Sequence, residues 1–423
     1  LNVGIAVTGG AVSTRLLNST IISAAREIIA HGGTPYILSG GWGAILEHGL
    51  KGVREITNET LQKWENQSSA DYVTDRRLPQ RSKNELEEII FNLKEKNITR
   101  LIVIGGNGSS SALKGLYQFA PDYFTHLVQI LKTMDGDCVS PFYNLGFAST
   151  LSHAGTILNA YNNETSLYGS PYVVKLLGRE VGQLCLHLGI QKKPCLALMR
   201  EEFGNRKISF KELTSLLLAS TLKQLSVTGS FGSLVLSEGI MDCLDEKAQK
   251  QVGVRFVKDL EVKRIDFTKA HLEASLKDSL SKALTSLGVR PFGVPLQVGA
   301  RSIGYYARAE DPVEEDLSLA KAYGKRAGTL VSSKEKLFCP TLLLPEKEVP
   351  LESILNHKNE VEQCWVDTRG HQYLQFVSSQ YRLTPSDLEG GSFDKIHSYT
   401  KLGRKKLKKI LLEPAELFSN MPL

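Results

Sequence analysis

Leu101-Ile102-Val103-Ile104-Gly105-Gly106-Asn107-Gly108-Ser109-Ser110-Ser111 decides how this 423-residue chain folds. Its first four residues form a short, continuous, partly β-branched apolar run, the pattern of a strand buried on both faces of a parallel sheet. The run leads straight into a glycine-rich turn, and residues 112–119 then take helical spacing. Strand, glycine turn and helix start together gather backbone N–H groups and a helix dipole around an anion, which is how α/β folds hold phosphate. The same residues also make an ordinary tight strand-to-helix turn, and taken alone they leave both readings open.

The chain opens on the same design. Residues 3–7 are strand-like, Gly9 and Gly10 follow, and Asn18-Ser19-Thr20 leads into a helical run at 21–30. Two such turns belong at the carboxyl edge of one sheet, where open α/β folds bind their ligands. Downstream, Lys132-Thr133-Met134-Asp135-Gly136-Asp137 sets two carboxylates one residue apart in a glycine-loosened loop beside a cation. That grouping suits removal of a proton from an alcohol and neutralisation of a transferring phosphoryl group. Asp-Gly-Asp is also a common solvated turn, so the company it keeps has to decide.

Strand-like runs at 4–7, 34–38, 101–104, 173–177, 195–199 and 233–236 alternate with helical ones, which predicts parallel sheets covered by helices. Leu218, Leu222 and Leu225 fall on one face of a helix over 213–225, and 317–331 is a further helix. Hydrophobic content of 42% and charged content of 23% are those of an ordinary globular protein, and the length suffices for two α/β lobes. A formal charge of +6 helps to steer small anions and is too small to predict a nucleic-acid partner. No apolar run reaches about 18 residues and no signal peptide is evident, so neither a membrane span nor secretion is expected and the location predicted is cytoplasmic. The six cysteines lack C-x-x-C spacing, which predicts reduced thiols and no zinc site. The basic stretch at 401–409 reads as the solvated face of a helix.

Six segments carry a family resemblance. Gly105-Gly106-Asn107-Gly108-Ser109, Lys132-Thr133-Met134-Asp135-Gly136-Asp137, Gly146-Phe147, Leu177-Gly178-Arg179, Ser237-Glu238-Gly239 and Gly304-Tyr305-Tyr306-Ala307-Arg308 follow one another in the order and approximate spacing of phosphofructokinases. The resemblance extends over roughly residues 1–335. Lys132, and Tyr305 with Arg308, resemble the diphosphate-dependent branch. It implies an α/β, two-lobed phosphofructokinase-like fold: a phosphoryl-donor-binding lobe at 1–146 plus 307–340, a fructose-6-phosphate-binding lobe at 147–306, the sugar phosphate in the cleft between them, and a C-terminal extension at 341–423.

Carried over position by position, the resemblance implies that Asp135 is the base taking the proton of the sugar 1-hydroxyl, that Asp137 supports the metal and the base, and that Lys132 contacts the transferring phosphate. Gly10, Gly106, Asn107, Gly108 and Lys132 would hold diphosphate. Thr133, Met134, Asp135, Leu177, Gly178, Arg179, Glu238, Tyr305 and Arg308 would hold fructose 6-phosphate. The cofactor implied is Mg2+, on Asp137 and weakly on Asn107. A homo-oligomer, or a hetero-oligomer with a related subunit, is implied as well, although Gly169 and Ser170 carry no cation where the family's partner contacts fall.

Three departures accompany these matches. Asn107 stands where the family has a metal-binding aspartate, and Gly108 where the diphosphate branch usually has another. Thr14-Arg15-Leu16-Leu17 replaces a glycine-containing loop, so the side chains of Leu16 and Leu17 are expected to fill space left elsewhere for a phosphate. ATP as donor, and a weak or silent regulatory paralogue that binds fructose phosphates, therefore stand as alternatives to a diphosphate-dependent enzyme.

Overall fold

The computed structural model describes residues 1–423 apart from 67–69, 78, 80–81, 260–261, 267–268, 291–292, 294–295, 338, 358 and 423. The chain divides into two compact units, Leu1–Thr150 with Arg308–Cys364, and Leu151–Ala307 with Trp365–Leu423. Residues 341–423 are thus shared, 341–364 belonging to the first unit and 365–423 to the second. The strands, in chain order, are β1 (Asn2–Val7), β2 (Thr34–Leu38), β3 (Val53–Glu55), β4 (Ile98–Gly105), β5 (His126–Leu131) and β6 (Tyr172–Leu176). After them come β7 (Leu196–Leu198), β8 (Ser233–Ser237), β9 (Phe256–Asp259), β10 (Val262–Ile265), β11 (Gly299–Ile303), β12 (Thr341–Leu343) and β13 (Glu348–Pro350).

In the first unit seven strands form one sheet in the order β13-β12-β5-β4-β1-β2-β3. Its centre, from β12 to β2, is parallel, and β3 and β13 pair antiparallel at the edges. Side chains alternate across a strand, so a continuous apolar run feeds two cores. Val3, Ile5, Val7, Ile102 and Ile104 pack on one side with the helices Thr14–Ala30 and Glu314–Ser332. Ala6, Leu101 and Val103 pack on the other with the helices Lys83–Glu95 and Asn107–Phe119.

The helix at the first glycine turn begins at Thr14, earlier than the helical run 21–30 read from the sequence. Leu16 and Leu17 are therefore helical and buried in the core rather than projecting into a phosphate loop. That expectation is corrected, because the replaced loop extends the helix by its own good helix formers. Asn18 is buried too, donating to the Trp64 carbonyl at 3.2 Å and accepting from the Tyr72 hydroxyl at 2.8 Å.

In the second unit β11-β6-β8-β7 form a fully parallel sheet, and β9 and β10 form a separate antiparallel hairpin. Val173, Leu196, Leu198, Leu234 and Leu236 join one core with Leu218, Leu222 and Leu225 of the helix Phe210–Thr228. Residues 365–423 close that core through Leu407, Leu411, Ala415 and Phe418 of the helix Arg404–Ser419. Lys405, Lys406, Lys408 and Lys409 lie on its exposed side. No helix among the described residues is long and apolar enough to cross a membrane. All six cysteines are free thiols.

Candidate active site

Three neighbouring parallel strands of the first unit, β5, β4 and β1, end side by side, and the two glycine turns and the Asp-Gly-Asp loop each follow one of them. Gly9 and Gly10 follow β1, Gly106 to Gly108 follow β4, and Lys132 to Asp137 follow β5. Gly106 caps the helix Asn107–Phe119, so the helix start opens at the same edge. The Thr8 and Ser109 hydroxyls lie 2.5 Å apart and tie the end of β1 to that helix. The Lys132 backbone N–H donates to the Gly105 carbonyl at 3.0 Å and its ammonium donates to the Gly10 carbonyl, which joins all three strand ends.

The Asp-Gly-Asp turn is buried, with Asp135 6% and Asp137 9% exposed, so the solvated-turn reading is excluded. Gly136 takes a φ of +68°, and a Cβ there would lie 2.7 Å from the Phe147 ring, so only glycine makes this turn. Thr133 stitches the loop: its hydroxyl donates to Asp137 Oδ1 at 2.8 Å and accepts from the Asp135 N–H at 3.2 Å. The Asp137 carboxylate and the Asp135 backbone are thereby fixed at the strand end.

Cations gather over the Gly10 turn. Arg308 Nη1 and Arg76 Nη2 lie 3.3 and 3.5 Å from the point a Gly10 Cβ would occupy, and Arg308 Nη1 is 3.8 Å from Met134 Sδ. Lys132 is only 3% exposed. Burial, followed by the charges of Arg308 and then Arg76, pushes its ammonium down to about 7. Arg308, assigned from the sequence to the sugar phosphate, thus sits beside the donor-type turn. Arg76 was missed altogether. Its signal was weak, a basic pair after Thr74-Asp75, yet the Gly9 N–H donates to the Asp75 carbonyl at 2.7 Å and so brings that segment to the site. Its neighbour Arg77 is occupied elsewhere, by Glu47 at 2.8 Å and Glu85 at 3.1 Å.

The expected metal ligands do not fit an ion held by the protein. Asp137 Oδ1 accepts from Thr133, and Oδ2 accepts from the Asn107 amide at 3.2 Å. The Asn107 Oδ1 in turn accepts from the Cys138 thiol at 3.3 Å. Magnesium demands several oxygens around it in near-octahedral array, and these oxygens already face donors. Among the described residues no group of three or more His, Cys, Asp or Glu side chains has metal-binding geometry.

The second unit repeats the arrangement at the ends of β11, β6 and β8, again adjacent and parallel. Leu177-Gly178-Arg179 follow β6, Glu238 follows β8 and Tyr305 follows β11. The Glu238 N–H donates to the Leu176 carbonyl at 3.0 Å. Burial pushes the Glu238 carboxyl up, opposed by the Lys175 charge and by backbone N–H bonds from Arg179 and Gly178. Arg179 reaches that position in the left-handed region, at φ +46°. Leu177 is buried, whereas Tyr305 is 43% exposed. Lys175, also missed from the sequence, donates to the Ala270 carbonyl at 2.9 Å and lies 3.6 Å from Glu273.

Known proteins resemble this chain in sequence and in fold. The family model described as Phosphofructokinase matches residues 2–331. A pyrophosphate--fructose 6-phosphate 1-phosphotransferase of Thermotoga maritima is 25% identical over 326 residues, 76% of this chain and 75% of that protein. The enzyme of the same name from Naegleria fowleri is 22% identical over 69% of this chain and 67% of its own length. An ATP-dependent 6-phosphofructokinase of a Sulfurihydrogenibium species is 28% identical over 35% of this chain and 43% of that protein. Among solved structures, the pyrophosphate-dependent phosphofructokinase of Nitrosospira multiformis superposes with a TM-score of 0.65 at 15% identity, covering 89% of this chain and 91% of that one. The phosphofructokinase of Pichia pastoris in its T-state gives 0.62 at 14% identity, covering 99% of this chain and 39% of that one. With its two largely parallel sheets and a family match running over most of its length, the chain belongs to the phosphofructokinase family.

Proposed function

We propose that this chain is a phosphotransferase that moves a phosphoryl group from inorganic diphosphate to the 1-hydroxyl of fructose 6-phosphate, a step of glycolysis. The observation that carries the reading is the buried Lys132 ammonium on the Gly10 carbonyl, flanked by Arg308 and Arg76. Three cations over one turn suit a donor whose charge is concentrated in two phosphates. They neutralise charge on the phosphoryl oxygens and on the departing phosphate.

In this mechanism Asp135 accepts the proton of the 1-hydroxyl as the new O–P bond forms and the bridging P–O bond of the diphosphate breaks. Thr133, Asp137 and Gly136 hold Asp135 in place. Arg179 suits the 6-phosphate because its planar fork spans two oxygens, and Glu238 accepts from sugar hydroxyls. Tyr305 and the backbone of Leu177 and Gly178 complete the sugar-phosphate contacts. The products are inorganic phosphate and fructose 1,6-bisphosphate. Phosphofructokinases are typically magnesium-dependent. Assembly with a second copy or a related subunit is part of the same reading.

The purified chain, given fructose 6-phosphate with either diphosphate or ATP, is expected to turn over with diphosphate. Turnover with ATP alone removes the donor assignment. The Asn107–Asp137 bond favours one second reading, a regulatory paralogue that binds fructose phosphates without catalysis. It predicts sugar-phosphate binding with no turnover from either donor, and activity only on mixing with another subunit.

A further inference from the structure

We infer that Asn107 is a fixed hydrogen-bonding strut for Asp137 and not a metal ligand, so that a divalent cation reaches this edge of the sheet only when it arrives on the phosphoryl donor. The inference deepens the proposed function and rests on it for the identity of the donor alone.

Four contacts support it. The Asn107 Nδ2 donates to Asp137 Oδ2 at 3.2 Å, and the Thr133 hydroxyl donates to Asp137 Oδ1 at 2.8 Å. The Asp137 carbonyl accepts from the Cys364 N–H at 2.9 Å, which anchors the backbone. The Cys138 thiol, fully buried, donates to Asn107 Oδ1 at 3.3 Å and lies 3.6 Å from Asp137 Oδ1. Every oxygen that a cation needs from these two side chains therefore already faces a donor.

Placing an ion between residues 107 and 137 means breaking the amide–carboxylate bond, turning the Asn107 amide round and giving up the thiol contact. The return is small, because a neutral amide and one carboxylate supply a single negative charge, and hard-cation affinity follows the charge of the ligands. An aspartate at 107 reverses the balance. Two carboxylates held at that separation repel each other, and a cation or a proton between them removes the repulsion. Asn107 thus does with a permanent N–H what a bound ion does between two carboxylates: it holds Asp137 still. It is a positioning residue for the loop that carries Asp135.

Manganese(II) serves as the probe, its binding to the donor-free protein followed by electron paramagnetic resonance and calorimetry, with unfolding temperature as a separate readout. Unsubstituted protein without diphosphate is expected to show no manganese site that D137N removes. N107D is expected to gain one, roughly tenfold or more tighter than any site of the unsubstituted protein, with a manganese-dependent rise in unfolding temperature. That gain should vanish in N107D/D137N. A manganese site in the unsubstituted, donor-free protein that disappears in D137N overturns the inference, as does a folded N107D whose manganese binding is unchanged. The first of these results requires no folded N107D. Neither readout depends on turnover, so a failure of the phosphotransferase reading shows itself in the activity assay and a failure of the strut shows itself here.

Discussion

Lys132 is the residue on which site chemistry and folding energetics meet. Its pKa is pushed down to about 7 from an ordinary 10.5. Between those values the unfolded chain binds more protons than the folded one, so folding stability rises with pH across that window, and the cost of a charged, buried lysine is fully present below about 7. The stability advantage of K132M over the unsubstituted protein should therefore shrink between pH 6.5 and pH 9.5 in urea unfolding; an advantage that grows counts against the burial argument. In the proposed transfer only protonated Lys132 neutralises the phosphate, so kcat/KM for diphosphate should fall as pH rises through about 7, and K132R, which stays charged, should lose that limb. Asp135→Asn should lower kcat by roughly 100- to 10,000-fold while fructose 6-phosphate binding, read by calorimetry, stays close to unchanged. Lys132 and Asp135 were legible because their types and spacing belong to one short segment. Arg76 was not, since an arginine in a loop has no periodicity and the pairing of Thr8 with Asp75 that brings it to Gly10 is a tertiary fact.

Among the elements, the helices Thr14–Ala30 and Glu314–Ser332 set the first unit's packing. A Cβ on Gly324 would meet the Thr20 carbonyl at 2.2 Å, and one on Gly328 the Ala24 carbonyl at 2.6 Å, so the two backbones are in direct contact. Gly324→Ala should cost about 1–3 kcal/mol through overpacking, measured by denaturant unfolding, despite the better helix propensity of alanine. A stabilised variant would show that the helices separate readily. Strands β1, β2, β4 and β8 were readable as apolar runs, and the helix of residues 317–331 as a period. Strand β5 was not, because His126 and Gln129 interrupt it. Both are buried, and Gln129 is accommodated by donating to the carbonyls of Gly105 at 2.9 Å and Ile130 at 3.3 Å. The early start of Thr14–Ala30 was hidden because Leu16 and Leu17 bury against strands and a helix that are distant in sequence.

On the scale of the whole molecule, each of the two units places its candidate site residues at the ends of three adjacent parallel strands, and this much follows from the alternation of strands and helices along the sequence. The part played by residues 365–423 does not, because it depends on apolar and polar contacts between segments far apart in the chain. Arg382 reaches Glu202 at 2.5 Å with both side chains buried, and the Tyr373 hydroxyl donates to the same carboxylate at 2.9 Å. Removing one partner of such a pair leaves a buried charge uncompensated, so Glu202→Ala should destabilise the second unit by about 3–5 kcal/mol in chemical unfolding. Transfer from diphosphate at the Lys132 edge of the first sheet can be followed by phosphorus-31 NMR of the protein with fructose 6-phosphate, diphosphate and ATP together in equal amounts. The diphosphate resonance is expected to give way to those of inorganic phosphate and a sugar 1-phosphate while the ATP signals persist. Loss of the γ-phosphate signal of ATP with diphosphate untouched, or no change in any resonance, would contradict it.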